Sequence, residues 1–196
     1  TFQSDGLKKI VREMLRLTGD KLEWFPAAQR LHHAERSGLL HHTTSMLNLA
    51  RHVVAAYPFL NAELLYAGVI LHDLCKTTEM ISDETGSVSD YSADGLLIGH
   101  LVRGVARIEE AAKNVGVSGE IVLLLEHMVL SHHSIPEYGS PKAPMFTEAE
   151  VLARIDDLDA KMNEMQGILA RVPEGAFSEK VWSLDRRIYH PKYQEI

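Results

Sequence analysis

The sequence predicts an all-α fold. Three observations carry it. Apolar residues recur every three or four positions in a series of long stretches. Capping residues bound most of those stretches. No alternation of apolar and polar residues runs long enough to demand a large sheet.

The elements follow in order. Leu7, Ile10, Val11, Met14, Leu15 and Leu17 share helical spacing, with Asp5 placed to cap the start and Gly19 to end it. Residues 20–28, with Trp24 and Phe25, read as a short helix or irregular arm. Residues 31–38, including His32 and His33, read as a polar connection. From Thr43 the pattern Met46, Leu47, Leu49, Ala50, Val53, Val54, Tyr57 is a helix stopped by Pro58. Asn61 is a good N-cap for the next helix, and Glu63 lies in its first turn. Leu64, Leu65, Ala67, Gly68, Ile70 and Leu71 make that helix apolar nearly all round, so it belongs at the centre of the core. It ends near His72 and Asp73.

Residues 79–91 are polar and contain Gly86, which suggests a mobile loop crossing the site. Residues 94–112 read as one helix carrying His100, with Leu96, Leu97, Ile98, Leu101, Val102, Val105 and Ile108 as its stripe. Gly116 ends that segment. Ser118 is placed to cap a helix through Ile121, Leu125 and Val129 that stops at His132-His133. Residues 136–144 form a loop. Thr147 and Glu150 have the spacing of a capping box before a long helix packed through Leu152, Ile155, Leu158 and Met162. Asp156 and Asp159 fall on a neighbouring face of it. After Pro173, Trp182, Leu184 and Ile188 are expected to pack back. The chain therefore divides into an N-terminal helical arm (1–30), a core (31–172) and a C-terminal extension (173–196).

The composition bounds the function. The chain has 196 residues, 45% hydrophobic and 24% charged, enough to bury a sizeable core. A formal net charge of -7 argues against nonspecific nucleic-acid binding through a broad basic face. The single cysteine, Cys75, excludes an internal disulfide framework and reads as a buried small residue of a cytoplasmic protein. No uninterrupted run of about 18 apolar residues is present, so no membrane span is expected.

Eleven histidines are the anomaly. His42, His72-Asp73, His100 and His132-His133 stand at or near the ends of separate apolar helices, with Asp156 on the last one. Imidazole and carboxylate on facing helices suit Mn²⁺, Fe²⁺, Ni²⁺ or Zn²⁺. Asp73 has two oxygens with which to bridge two ions. His42 and Asp156 would complete one ion with His72; His100, His132 and His133 would complete the other. Taken singly, a histidine at a helix end is more often a cap or a hydrogen-bonding group. His127 faces elsewhere and reads as a core or supporting residue. Asp157 points roughly 100° from Asp156 and is the lesser choice.

This ordered series resembles the HD-domain metal-dependent phosphohydrolases, over residues 31–162. Several stretches look more particularly like the HD domain of the YhaM-type 3′-to-5′ exoribonucleases: Gly38-Leu39-Leu40-His41-His42-Thr43, His72-Asp73-Leu74-Cys75-Lys76, His100-Leu101-Val102-Arg103-Gly104, Leu130-Ser131-His132-His133 and Ile155-Asp156-Asp157-Leu158-Asp159-Ala160-Lys161-Met162. The resemblance implies an HD-domain helical bundle, a divalent metal centre of one or two ions, and hydrolysis of phosphodiesters from a 3′ end. It would assign His42, His72, Asp73 and Asp156 to the first ion, and Asp73, His100, His132 and His133 to the second. Enzymes of that kind usually carry an OB-type nucleic-acid-binding domain before the HD domain; residues 1–30 precede it here. His41 stands where relatives often have glutamate, and Ser134 where they often have glycine.

The chemistry expected is metal-assisted hydrolysis of a phosphoester. Asp73 is the bridging carboxylate. Lys76 would set an ammonium over the phosphate, and Arg103 would pair with a substrate phosphate or with an acidic side chain such as Asp73. His33 and Arg36 are further substrate contacts to test, Asp159 is either a supporting residue or a solvated one, and Trp24, Tyr91 and Tyr138 are candidate base-stackers. The substrate is expected to be single-stranded RNA or a short oligonucleotide. The alternatives are a nucleotide phosphomonoesterase and a noncatalytic nucleotide-binding regulatory module. Oligomeric state is left open.

Overall fold

Leu7, Ile10, Val11 and Met14 lie on one face of α1 (Asp5–Thr18) and are buried. The structure is a computed structural model that describes residues 2–29 and 33–193, so Leu31 and His32 of the expected connection lie outside the described residues. Ser4, rather than Asp5, caps α1: its Oγ accepts from the Leu7 N–H. Gly19 closes the helix at φ 64, and a 3₁₀ turn covers Gly19–Glu23.

α2 (Gly38–Ala56) starts well before the expected Thr43. The Thr43 hydroxyl donates to Leu39 O within the helix, so a residue that often breaks a pattern is absorbed by it. Gly38 is required by close approach: a Cβ there would lie 1.9 Å from the His33 carbonyl oxygen. α3 (Ala62–Leu71) is capped by Asn61 as expected, and Leu64, Leu65, Ala67, Gly68, Val69 and Leu71 are buried on all sides. Residues 72–75 then form a turn before the short α4 (Lys76–Glu79).

The expected loop at 79–91 is instead an antiparallel hairpin of β1 (Met80–Ser82) and β2 (Val88–Tyr91), pairing Met80 with Tyr91 and Ile81 with Asp90. Its strands are too short and polar to show an alternation. Asp83 organises the turn by accepting from the Thr85 N–H. Met80 packs with Phe25, Ala27 and Leu39 in a small second core that also takes Trp24 and Tyr91.

The helix expected at 94–112 is broken into α5 (Ala93–Leu97) and α6 (Gly99–Asn114) by Gly99, at φ 78. Leu96 and Leu97, expected to pack, are exposed on α5. α7 (Glu120–Ser131) begins after Gly119, at φ 91, rather than from a Ser118 cap. α8 (Thr147–Leu169) has Phe146 at its N-cap, so no capping box forms. Thr147 is already helical, Glu150 pairs with Arg154, and Glu148 accepts from the Asn61 N–H at 2.6 Å.

Helices α1, α2, α3, α6, α7 and α8 share one buried cluster centred on α3. α1 joins this cluster through Leu7, Ile10, Val11 and Met14. In the C-terminal extension Ile188 is buried, but Trp182 is 77% exposed and does not pack back. Among the described residues no helix is long and apolar enough to cross a membrane.

Candidate metal centre

The break after α3 does the first work. Because the chain leaves the helix at His72, both His72 and Asp73 turn into the same buried space, although consecutive helical positions would diverge by roughly 100°. His42 reaches that space from the first turns of α2, His100 from the start of α6, His132 from the end of α7 and Asp156 from the middle of α8.

Asp73 stands between two sets of donors. Its Oδ2 lies 3.3 Å from His72 Nε2 and 3.8 Å from His42 Nε2. His42 Nε2 is in turn 3.2 Å from Asp156 Oδ1. Asp73 Oδ1 lies 3.4 Å from His100 Nε2 and 3.5 Å from His132 Nε2. His133 joins this second set: donor atoms of Asp73, His100, His132 and His133 lie within 4.8 Å of one another, as do those of His42, His72 and Asp156.

Each of four rings is held by its other nitrogen. His72 Nδ1 donates to Val69 O and His132 Nδ1 to Val129 O, each at 2.8 Å. His100 Nδ1 donates to Glu79 Oε2 at 2.8 Å, and His42 Nδ1 to Asp159 Oδ2 at 2.7 Å. At His72, His100 and His132 this leaves Nε2 to turn a lone pair inward, while His42 Nε2 faces the carboxylates of Asp156 and Asp73. His42 and His72 oppose Nε2 to Nε2 at 3.3 Å, beside carboxylate oxygens. Among the described residues, the buried side-chain atoms left without a hydrogen-bond partner are Asp73 Oδ1, His100 Nε2 and His132 Nε2, which face one another. Acceptors without donors at one buried point are costly unless a proton or a cation lies between them. Both donor sets therefore fit a divalent cation.

The protonation states differ between the two sets. Burial pulls His42 down, but its hydrogen bonds to Asp156 and Asp159 and the charge of Asp73 outweigh this and raise it to about 9. A divalent cation would meet the same carboxylates and compete with that proton. Burial pushes His132 down to about 3, with Asp73 opposing, so its ring stays neutral and keeps its lone pair. Burial alone would raise Asp73; Lys76, whose Nζ lies 2.7 Å from Oδ2, together with His72 and His132, holds it well below the usual carboxylate range.

Lys76 grips Asp73 at the edge of the cleft. Arg103 forks onto Asp94 through Nε, at 3.0 Å, and Nη2, on the outer side of α6, rather than onto Asp73. Its long side chain finds a nearer carboxylate one element back. Asp159 is buried and supporting, accepting from His42, from Ser45 and from His33 Nε2 at 2.8 Å. His33 is thus turned inward, with its N–H on Asn163 Oδ1. Arg36 donates to Glu84 O at the hairpin turn. Trp24 and Tyr91 pack in the second core, and the Tyr138 side chain lies outside the description. His127 accepts from the Met145 N–H and supports the loop before α8. Cys75 is buried, and burial pushes its thiol up to about 11, which removes it as a nucleophile. Asp157 faces outward to Lys161.

Sequence reasoning missed Glu79 and Asn163. Glu79 accepts from both the His100 ring and the His100 N–H, so one carboxylate orients the ring and caps α6. Its only sequence signal is a carboxylate lying between the His-Asp pair and His100.

A cleft of about 450 Å³ opens onto this centre, lined by Lys76, His132, His133, Asp156 and, at its rim, Arg154 and Lys161. A larger hollow of about 650 Å³ beside α2 and α3 holds none of the convergent histidines.

The family model for the HD domain matches residues 39–161. The chain belongs to the HD-domain family. Its HD domain thus takes in α2 through most of α8, with every convergent histidine inside. The chain is 45% identical over 197 residues to a protein named 3′-5′ exoribonuclease YhaM from Geobacillus sp. (strain WCH70), covering 100% of this chain and 60% of that protein. Relatives of the same name from Bacillus subtilis (strain 168) and Listeria monocytogenes serovar 1/2a (strain ATCC BAA-679 / EGD-e) are 43% and 44% identical over 196 and 195 residues, covering 99% and 98% of this chain and 61% of each relative. The chain thus spans about 60% of the length of the curated relatives it matches. No solved structure matches the chain.

Proposed function

We propose that this HD domain is the hydrolytic centre of a divalent-metal-dependent phosphohydrolase that trims single-stranded RNA from its 3′ end. The observation that carries the proposal is Asp73. Its two oxygens face two separate sets of ring nitrogens, the first of which also holds the Asp156 carboxylate, and such donor sets would suit divalent cations. His42, His72, Asp73 and Asp156 would hold one ion, and Asp73, His100, His132 and His133 the other. When bound, such ions acidify a water and neutralise charge on a phosphate.

The chain's own residues do the rest. Glu79, Asp159, Val69 O and Val129 O fix the four rings, so the donors need not reorganise. Lys76 keeps Asp73 ionised and adds a positive charge at the cleft, where a nonbridging phosphate oxygen would lie. Buried Leu71, Leu74 and Met128 exclude water behind the site. Arg103, on Asp94, would serve by holding α5 against α6 and would have to leave Asp94 to reach substrate. The RNA substrate is supported by the names of the full-length relatives. A buried cysteine thiol and the absence of a spanning helix among the described residues support a cytoplasmic setting.

The cleft volume suits one nucleotide at the centre, a property shared by an end-trimming enzyme and a nucleotide monoesterase. The test is hydrolysis of 5′-labelled and 3′-labelled short RNA with Mn²⁺, with chelator and with Asp73→Ala, beside nucleoside monophosphates. Stepwise shortening from the 3′ end, lost with chelator and in the variant, is expected. Phosphate release from mononucleotides with RNA intact would replace the proposal by the monoesterase, and metal binding without turnover of either by a regulatory module.

A further inference from the structure

Aromatic side chains usually find the core, yet four in the C-terminal extension do not. Phe177, Trp182, Tyr189 and Tyr193 are 56%, 77%, 45% and 83% exposed. They are not on an unstructured strand. Residues 175–190 fold back on themselves: Gly175 N–H donates to His190 O, His190 N–H to Ala176 O, Ser178 N–H to Ile188 O and Val181 N–H to Arg186 O. Ile188 turns inward as the apolar anchor, with Ser178 buried beside it. This folding pairs Phe177 with Tyr189, ring centroids 4.9 Å apart, and sets the Arg187 guanidinium 5.3 Å from the Phe177 centroid. Arg186 and Lys192 are exposed on the same extension.

The extension is tied to the cleft. The Ser183 hydroxyl, next to Trp182, donates to Glu164 on α8. Glu164 lies one turn beyond Lys161, which rims the cleft, and two turns beyond Asp157. That spacing is about 10 Å along the helix axis from Asp157. Aromatic faces with interleaved guanidinium and ammonium groups match the two features that every single-stranded nucleic acid offers, base faces and phosphates. On a chain of net charge -7, such a local combination is out of keeping with its surroundings.

We infer that the exposed aromatic face of residues 177–193, with Trp182 at its head, is a stacking platform for the single-stranded RNA whose end occupies the metal centre. The inference rests on the RNA-trimming function proposed above. Trp182 is a positioning residue: it holds nucleotides away from the scissile bond.

The test is binding of 5′-fluorescein-labelled octa-adenylate and di-adenylate in chelator, where no hydrolysis occurs, with affinity read by fluorescence anisotropy and, in chains that keep Trp182, by tryptophan fluorescence. Trp24 is packed against Phe25, so a Trp24→Phe chain reports Trp182 alone. Octa-adenylate should quench that signal. Trp182→Ala should weaken octa-adenylate binding roughly 5- to 150-fold, the equivalent of one stacked base, and Trp182→Phe should restore most of it. The loss should be much greater for the octamer than for the dimer. Octa-adenylate trimmed by the wild type but with no quenching, or a loss in Trp182→Ala independent of length, would overturn the platform and leave the function standing. So would a wild-type dimer that Trp182→Ala dissociates while RNA affinity is unchanged, which would make the face a self-association surface. RNA that the wild type neither binds nor trims would overturn both.

Discussion

Asp159 shows how one residue can govern several. It is no member of the convergent donor sets around Asp73, but it accepts from His42, His33 and Ser45 and so sets the ring plane of His42. Its carboxyl is held well below the usual range; burial would raise it, and those three hydrogen bonds overcome burial. Losing such a partner typically costs 10–100-fold in metal affinity or activity. Asp159→Ala should therefore weaken Mn²⁺ binding by about that factor in a calorimetric titration. Affinity equal to the wild type would show that His42 needs no such support. Gly38 acts through the same residues. An added methyl must push back the His33 carbonyl, and His33 rests on Asp159. Gly38→Ala should cost about 1–3 kcal/mol in urea denaturation. Unchanged stability would mean that residues 33–38 shift freely.

At the scale of elements, carboxylates stitch helix starts to their neighbours. Glu63, in the first turn of α3, accepts from the N–H groups of Gln3 and Ser4 just before α1. Glu148 of α8 accepts from Asn61 before α3, and Glu79 from His100 at the start of α6. Orphan N–H groups at helix starts favour such partners. The Glu63 carboxyl is lowered from its ordinary 4.5, mainly by the Gln3 and Ser4 N–H groups. A depressed carboxylate adds stability that is fully present above the unfolded value and is lost as pH falls through the folded one. Hydrogen exchange should therefore show α1 loosening first as pH drops below 4.5, and Glu63→Gln should flatten that dependence. Protection of α1 that holds steady through acid in the wild type would contradict it.

For the whole molecule, the buried cluster around α3 joins six helices, and the ends of α3, α6 and α7 carry the convergent unpartnered atoms. A cation that binds only the folded chain must stabilise it. At ~100 times its dissociation constant the gain is about 2.7 kcal/mol. For a chain of this length that raises the melting temperature by about 5–10 °C. Mn²⁺ should produce that rise, chelator should reverse it, and Asp73→Asn should lose most of it. An equal rise in Asp73→Asn would mean that the metal acts elsewhere.

Helical periodicity made α1, α2, α3, α6, α7 and α8 legible, because a buried stripe must repeat every three to four residues whatever it packs against. The ordered histidines and aspartates made the convergent residues nameable before any coordinates. Short-range choices were less legible. Ser4 rather than Asp5, Gly119 rather than Ser118 and Phe146 rather than Thr147 are caps decided by which residue leaves helical geometry first. The hairpin at Met80–Tyr91 has strands too short to alternate. What only the tertiary structure decided is direction. Asp73 faces two donor sets across the turn that follows Leu71, Glu79 and Asp159 hold rings on other elements, Arg103 turns to Asp94, and Trp182 stays in solvent. Sequence determines which chemical groups stand at the helix ends; where each points depends on the neighbours that packing supplies, and no local pattern encodes a neighbour a hundred residues away.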